Sequence, residues 1–183
     1  MDRRQRKTQD AIFQVFTQLL SKKDYHQITV SEIIDAADVG RATFYAHFET
    51  KDFLLEAYCK ELFCHIFDTE KNDRHSHRHI FNCSGTEPVF LHLLQHLRNN
   101  DNNILLLLSS QNNELFLKYF RISLESLIES QLSLFESRKN RDLPQAIWKN
   151  HLASTFIALL KWWIENGMKE SPEAIHRYFF MLI

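Results

Sequence analysis

The chain has 183 residues, 44% of them hydrophobic and 13% aromatic, enough for one sizeable core or two small ones and too apolar for a disordered polymer. With 3 Gly and 3 Pro, the punctuation of tight turns and strands is scarce, and an all-α fold is expected. A formal net charge of -1 gives no overall field toward nucleic acid, so any basic surface must be local.

The first expected element is an amphipathic helix from about Arg4 to Ser21, because Ile12, Phe13, Phe16, Leu19 and Leu20 recur at helical spacing. Its basic start, Arg3, Arg4, Arg6 and Lys7, reads either as a solubilised, frayed terminus or as an arm touching phosphate or the minor groove. Next, "TVSE" at Thr29 to Glu32 is a capping box that opens a helix running to about Ala37. A break at Asp38 to Gly40 follows, where Asp tolerates the left-handed region and Gly is an acceptable cap.

"GRATFYAHF" then gives a helix of barely two turns. If Phe44 is its inward centre, about 100° per residue brings Phe48 beside it and turns Ala42 and Ala46 outward. An outward face of Ala flanked by Arg41, Thr43, Tyr45 and His47 permits close approach to a groove floor, apolar contact with thymine methyls and hydrogen bonds from the flanks. A longer fourth helix, opened by Thr50 and Asp52, carries Leu54, Tyr58, Leu62 and Ile66.

Residues 68–88, "DTEKNDRHSHRHIFNCSGTEP", are polar and aperiodic and read as a hinge, dividing the chain into units 1–67 and 68–183. Beyond it, helices are expected over Val89–Arg98, Ile104–Ser109, Glu114–Glu136, Leu143–Asn166 and Pro172–Leu182, with Gly167 as a stop and Ser171 as a start. The alternating His75, His77 and His79, with Cys83 near, would suit a metal-binding strand or loop, but no metal and no cofactor is the expected reading. Cys59 and Cys64 lie five residues apart, which splays them by about 140° on a helix and favours packing or plain exposure.

An odd number of cysteines without a C-x-x-C pair suits reduced thiols and a cytoplasmic location. "ILLLL" at Ile104 to Leu108 is the longest aliphatic run, so no membrane span or export segment is expected. Gly40, Gly85 and Gly167 are too dispersed for a nucleotide loop, and no nucleophile or metalloprotease motif occurs, so an enzyme is not expected.

Two short helices joined by a tight turn, the second with a free face, is the arrangement that sets a recognition helix in the DNA major groove. "TVSEIIDAADVGRATFYAHFETKDFLL" resembles the DNA-binding signature of TetR/AcrR-family transcriptional regulators, in the order T-x-x-x-I, A-x-V, T-x-Y-x-x-F, K-x-x-L. The likeness covers roughly Arg4 to Ile66. It departs from the family pattern at Asp38 and often at Ala42, where Gly is usual, and at Gly40, where a hydroxyl residue is usual.

The resemblance implies an N-terminal three-helix helix-turn-helix DNA-binding domain, with a connecting fourth helix, and a C-terminal helical domain for dimerisation and ligand. It implies phosphate contacts from Thr29, Tyr45, His47 and Lys51, and base-edge contacts from Arg41, Ala42 and Thr43. The implied partners are a double-stranded DNA operator, a second copy of the chain in a homodimer, and a small-molecule effector that releases a repressor. The rival from another class is a helical protein-interaction module or a membrane-surface binder, since a basic amphipathic helix also suits anionic lipid.

The Leu143–Asn166 helix is apolar on more than one side, which reads either as a central core helix or as part of a four-helix dimer bundle. On the dimer reading, charges at Phe156 and Phe179 are expected to part the two copies. Phe90, Leu94, Phe116, Tyr119, Phe120, Leu127 and Phe156 would line an apolar effector pocket with His92, His96 or Gln111 as its polar groups, or equally make a solid core.

Overall fold

The computed structural model of the chain describes residues 3–70, 88–99, 108, 114–139 and 142–183, the side chains of 62 and 64–70 excepted. Among these, eight α-helices carry the fold: α1 (Arg3–Leu20), α2 (Val30–Ala36), α3 (Arg41–His47), α4 (Lys51–Glu70), α5 (Val89–Arg98), α6 (Glu114–Ser130), α7 (Gln145–Glu165) and α8 (Pro172–Leu182). The expected sites at His75, His77, His79, Cys83 and Gln111, the Cys64 and His65 side chains, and most of "ILLLL" lie outside the described residues.

The N-terminal unit forms around aromatic rings that the helical periodicity had placed on one side. Ile12, Phe13 and Phe16 of α1, Ile33 of α2, Phe44 of α3 and Leu54 and Tyr58 of α4 are fully buried together. Phe13 meets Phe48 at 5.8 Å and Tyr58 at 6.0 Å, and Phe16 meets Tyr58 edge-on at 5.9 Å, the offset geometries that aromatic quadrupoles favour. Cys59 is buried in the same layer, and burial pushes its thiol well above the ordinary range, so it is a packing residue rather than a nucleophile.

In the C-terminal half, α4 packs on α5 and α6, α7 on α6 and α8, and α5 on α8. Its centre is a cluster of phenylalanines: Phe90 lies 5.6 Å from Phe135, 5.8 Å from Phe156 and 5.5 Å from Phe179. Phe156 and Phe179 are therefore inside the chain's own core, 2% and 0% exposed, and the expectation that charges there would merely separate two copies is corrected. A charge at either position loses solvation within one chain, whatever its oligomeric state. The large apolar residues of α7 and α8 that do face outward are Ile147, Trp162, Met181 and Leu182.

Two boundaries differ from the sequence reading. The fourth helix continues through Glu70, past the expected division at residue 67, since no Gly or Pro intervenes to end it. The sixth stops at Ser130 instead of Glu136, and two 3-10 turns, Leu132–Leu134 and Glu136–Arg138, follow. These tighter turns bring Phe135 into the core, stacked 5.7 Å from Phe180, while Arg138 donates to the carbonyls of Phe180 and Ile183 at the end of α8. The first helix starts within a residue of the expected Arg4, and its basic residues Arg3 to Lys7 are exposed in its first turns.

The end of α7 follows its glycine. Gly167 has φ +69, its amide donates to Ile164 at 3.0 Å and the amide of Met168 to Trp163 at 2.8 Å, the two bonds of a Schellman stop. Ser171 then accepts from the amide of Ala174 at 3.2 Å, with Pro172 pre-set for the first helical position of α8.

His92 and His96 are buried one turn apart on α5 with their Nε2 atoms 2.9 Å apart, so one ring must donate to the other. Burial first, and the neighbouring His96 second, pull the His92 pKa down from 6.5 to about 4. The unfolded chain takes up a proton near pH 6.5 that the folded chain refuses until about pH 4. Stability from this site is thus complete above pH 6.5 and is lost as pH falls toward 4. Urea unfolding at pH 7 and pH 4.5 should show a smaller acid loss for His92→Gln than for the parent chain; equal losses would assign the acid sensitivity elsewhere.

Candidate nucleic-acid interface

The exposed surface of α3 is fixed from two sides. Below it, Phe44 and Phe48 turn inward, 0% and 4% exposed, with their rings 5.8 Å apart. Ahead of it, Ala37 is the last helical-region residue of the preceding turn, Asp38 takes φ +50, and Gly40 caps α3 with φ -70 and ψ 149. The Val39 amide donates to Ile34 at 3.1 Å, which closes the turn. The break in the sequence is thus a left-handed residue held by a backbone bond, as Asp permits.

With Phe44 pinned, Arg41, Ala42, Thr43, Tyr45 and Ala46 face solvent and His47 is half-buried against Phe48 at 6.0 Å. Tyr45 is 46% exposed, its ring edge-on to Phe44 at 5.5 Å, so its apolar body is supported while the hydroxyl end stays accessible. The result is a short helix whose outer strip is two alanines between an arginine, a threonine and a tyrosine. Such a strip can lie against a groove floor where larger apolar side chains would clash.

Thr29 starts α2 through the reciprocal capping box: its Oγ1 accepts from the Glu32 amide at 3.2 Å, and the Glu32 carboxylate accepts from the Thr29 amide at 2.9 Å. Lys23 also pairs with Glu32. These bonds, the Lys23 bond foremost, hold the Glu32 carboxyl down at a pKa of about 2.

The structure brings Thr29, Arg41, Thr43, Tyr45 and Ala42 to the surface of one helix pair, and sets Lys51 differently. The Lys51 ammonium is half-buried, donates to the carbonyls of Tyr25 at 2.8 Å and Ile28 at 2.7 Å, and lies 4.2 Å from the centroid of the Tyr25 ring. Burial lowers its pKa. Two of its three N–H donors are thereby committed inside the protein.

Sequence reasoning had passed over two further participants. Ser31, on the exposed side of α2, accepts from the Arg41 guanidinium at 3.0 Å, which restrains the side chain at the front of α3. The pairing spans ten residues and two helices, so no local pattern announces it. Tyr25, between the first helix and the capping box, is buried and donates its hydroxyl to Asp52. No described helix is long and apolar enough to cross a membrane, and no group of three metal-ligating side chains gathers among the described residues.

Residues 12–58 match the family model for bacterial regulatory proteins of the tetR family, and residues 84–183 match a transcriptional regulator C-terminal region of the same group. The uncharacterized HTH-type transcriptional regulator YxbF of Bacillus subtilis is similar at 24% identity over 190 residues, which is 100% of this chain and 46% of that protein. DhaS of Lactococcus lactis, an HTH-type dhaKLM operon transcriptional activator, is 42% identical over 48 residues, 26% of either chain. The chain thus spans about half the length of YxbF, and its match to DhaS is confined to about a quarter of either protein. A crystal structure of a TetR transcriptional regulator from Streptococcus agalactiae 2603V is similar at 35% identity and a TM-score of 0.72, over 99% of this chain and 96% of that one. Its two matched halves and its likeness to a solved regulator along nearly all of its length place this chain in the TetR family of transcriptional regulators, with a DNA-binding helix-turn-helix at α2 and α3.

Proposed function

We propose that the chain binds a duplex DNA operator as a homodimer, with α3 of each copy in the major groove, and represses transcription until a small molecule occupies its C-terminal half. The observation that carries this is the outer face of α3, small at Ala42 and Ala46 and polar at its flanks, held in place by the buried Phe44 and Phe48. Arg41, Ala42 and Thr43 are assigned to base edges. Thr29, Tyr45, His47 and the remaining donor of Lys51 are assigned to phosphates, which fix register without reading sequence. Residues 1–67 serve DNA and 68–183 serve dimerisation and the effector. The exposed Ile147, Trp162, Met181 and Leu182 support a partner copy on α7 and α8.

Repression is the reading adopted for this chain, although the similar DhaS is by name an activator. Phe90, Phe116, Phe120 and Phe156, with His92 and His96, make the interior of this half apolar and aromatic, so an effector held there would be apolar or aromatic too. Trp148, Trp162 and Trp163 report on it: a true inducer must bind less tightly to the operator complex than to the free dimer.

The phosphate assignment is tested by binding isotherms at several salt concentrations. Tyr45→Phe should weaken a specific and a random duplex by the same factor. Lys51→Ala should flatten the slope of log affinity against log salt by about 0.9, the share of one phosphate. A slope equal to the parent's would remove Lys51 from the phosphate contacts.

A further inference from the structure

We infer that Tyr25, Lys51 and Asp52 form a latch that fixes the first turn of α4 to the turn ahead of α2, and that Tyr25 and Asp52 are positioning residues for operator binding. The inference rests on the operator-binding reading above. Its ground is a set of long-range contacts made by one helix turn. From α4, Lys51 donates to the carbonyls of Tyr25 and Ile28, and Asp52 accepts from the Tyr25 hydroxyl. These partners belong to the 3-10 turn Tyr25–Gln27 and to Ile28, and the next residue, Thr29, is the cap of α2.

Position is transmitted by short covalent steps. The carbonyl that Lys51 holds on Ile28 is one residue from the capping box, and α2 packs on α3. Tyr25 is itself anchored, 7% exposed, with its ring edge-on to Phe16 of α1 at 6.3 Å. The start of α4 therefore holds the turn from its carbonyl side by Lys51 and from its side-chain side by Asp52. With both in place the turn that leads into α2 is tied to the start of α4.

α4 also packs on α6 of the C-terminal half. Tyr119 of α6 is half-buried there, and its pKa is raised by burial first, then by the charges of Glu56 and Asp52 of α4. The Tyr25 hydroxyl is likewise raised by burial, by its bond to Asp52 and by Tyr119. The Asp52 carboxylate is thus felt from both halves of the chain, and the latch stands where a displacement of α4 against α6 would reach the recognition helix.

The test uses the full chain and a labelled duplex that the parent selects from a random pool, at a temperature where circular dichroism shows every variant folded. Tyr25→Phe keeps the ring and its packing but removes the hydroxyl; Asp52→Ala removes the acceptor; Asp52→Asn retains the Oδ1 acceptor. Tyr25→Phe and Asp52→Ala should each weaken binding to the selected duplex about tenfold, the worth of one charge-assisted hydrogen bond. Their salt slope should match the parent's, since neither residue touches phosphate. The double variant should lose no more than either single one, because both delete the same bond, and Asp52→Asn should recover most of the affinity. Folded single variants that bind within twofold of the parent, or losses that add in the double variant, would overturn the latch. A parent chain that selects no duplex would remove the operator reading, and the latch's role with it.

Discussion

Phe179→Asp is expected to unfold the C-terminal half of the chain, with loss of its cooperative melting transition. Phe179 is 0% exposed and meets Phe90 at 5.5 Å, Phe156 at 5.2 Å, Phe135 at 6.2 Å and Phe180 at 5.3 Å, so an aspartate there would be cut off from water among aromatic rings. Truncation alone, as in Phe179→Ala, should cost about 3–5 kcal/mol from lost transfer energy and the cavity left behind. Burying an unpaired charge adds several more, against a total stability of about 5–15 kcal/mol for a typical domain. Leu182→Glu, at a residue 60% exposed on the same helix, provides the contrast. It should leave the melting transition in place and shift the sedimentation coefficient to that of a monomer. If Phe179→Asp melts as the parent does, or if Leu182→Glu stays dimeric, the division of α8 into a core face and a partner face is wrong.

Arg41→Ala and Thr43→Ala are expected to change which sequence is bound rather than how tightly any duplex is held. A well-placed base contact is worth about 1–3 kcal/mol against the wrong pair, which is roughly a 5- to 150-fold loss of discrimination at one position. Arg41 is restrained before DNA arrives, since one guanidinium nitrogen donates to Ser31 Oγ at 3.0 Å. Ser31→Ala should accordingly leave the preferred sequence unchanged while lowering affinity for it modestly, because the guanidinium must then be ordered on binding. Recovery of the parent's site from a random pool by both α3 variants would move base readout to another element.

The helix-turn-helix was legible because its signals are local. The capping box at Thr29 and Glu32, the left-handed Asp38 and the alternation of Phe44 and Phe48 with Ala42 and Ala46 each act within a few residues, and each sits in the structure as the spacing predicts. Gly167 and Ser171 were legible for the same reason. What the sequence could not reveal depends on residues far apart along it. The early stop of α6 is tied to Phe135 packing on α8 and to Arg138 capping carbonyls more than forty residues on. The engagement of Lys51 with Tyr25 and Ile28 is invisible to a motif, which records only that a lysine is present. A helical wheel of α7 or α8 likewise counts apolar residues without telling which of them meet their own protomer. Phe156 and Phe179 look as available as Ile147 and Leu182 until the Phe90 cluster is seen.

If α3 reads a specific duplex sequence and two copies of the chain present it together, the chain selects a symmetric site. Selection from a random double-stranded pool by the parent chain, followed by sequencing, tests both parts at once. The expected result is enrichment of a palindromic site whose half-sites lie about one helical turn, or a multiple of it, apart, because a two-fold dimer sets two recognition helices in successive major grooves. A pool that stays random at low and moderate salt, or an enriched site without two-fold symmetry, would contradict it.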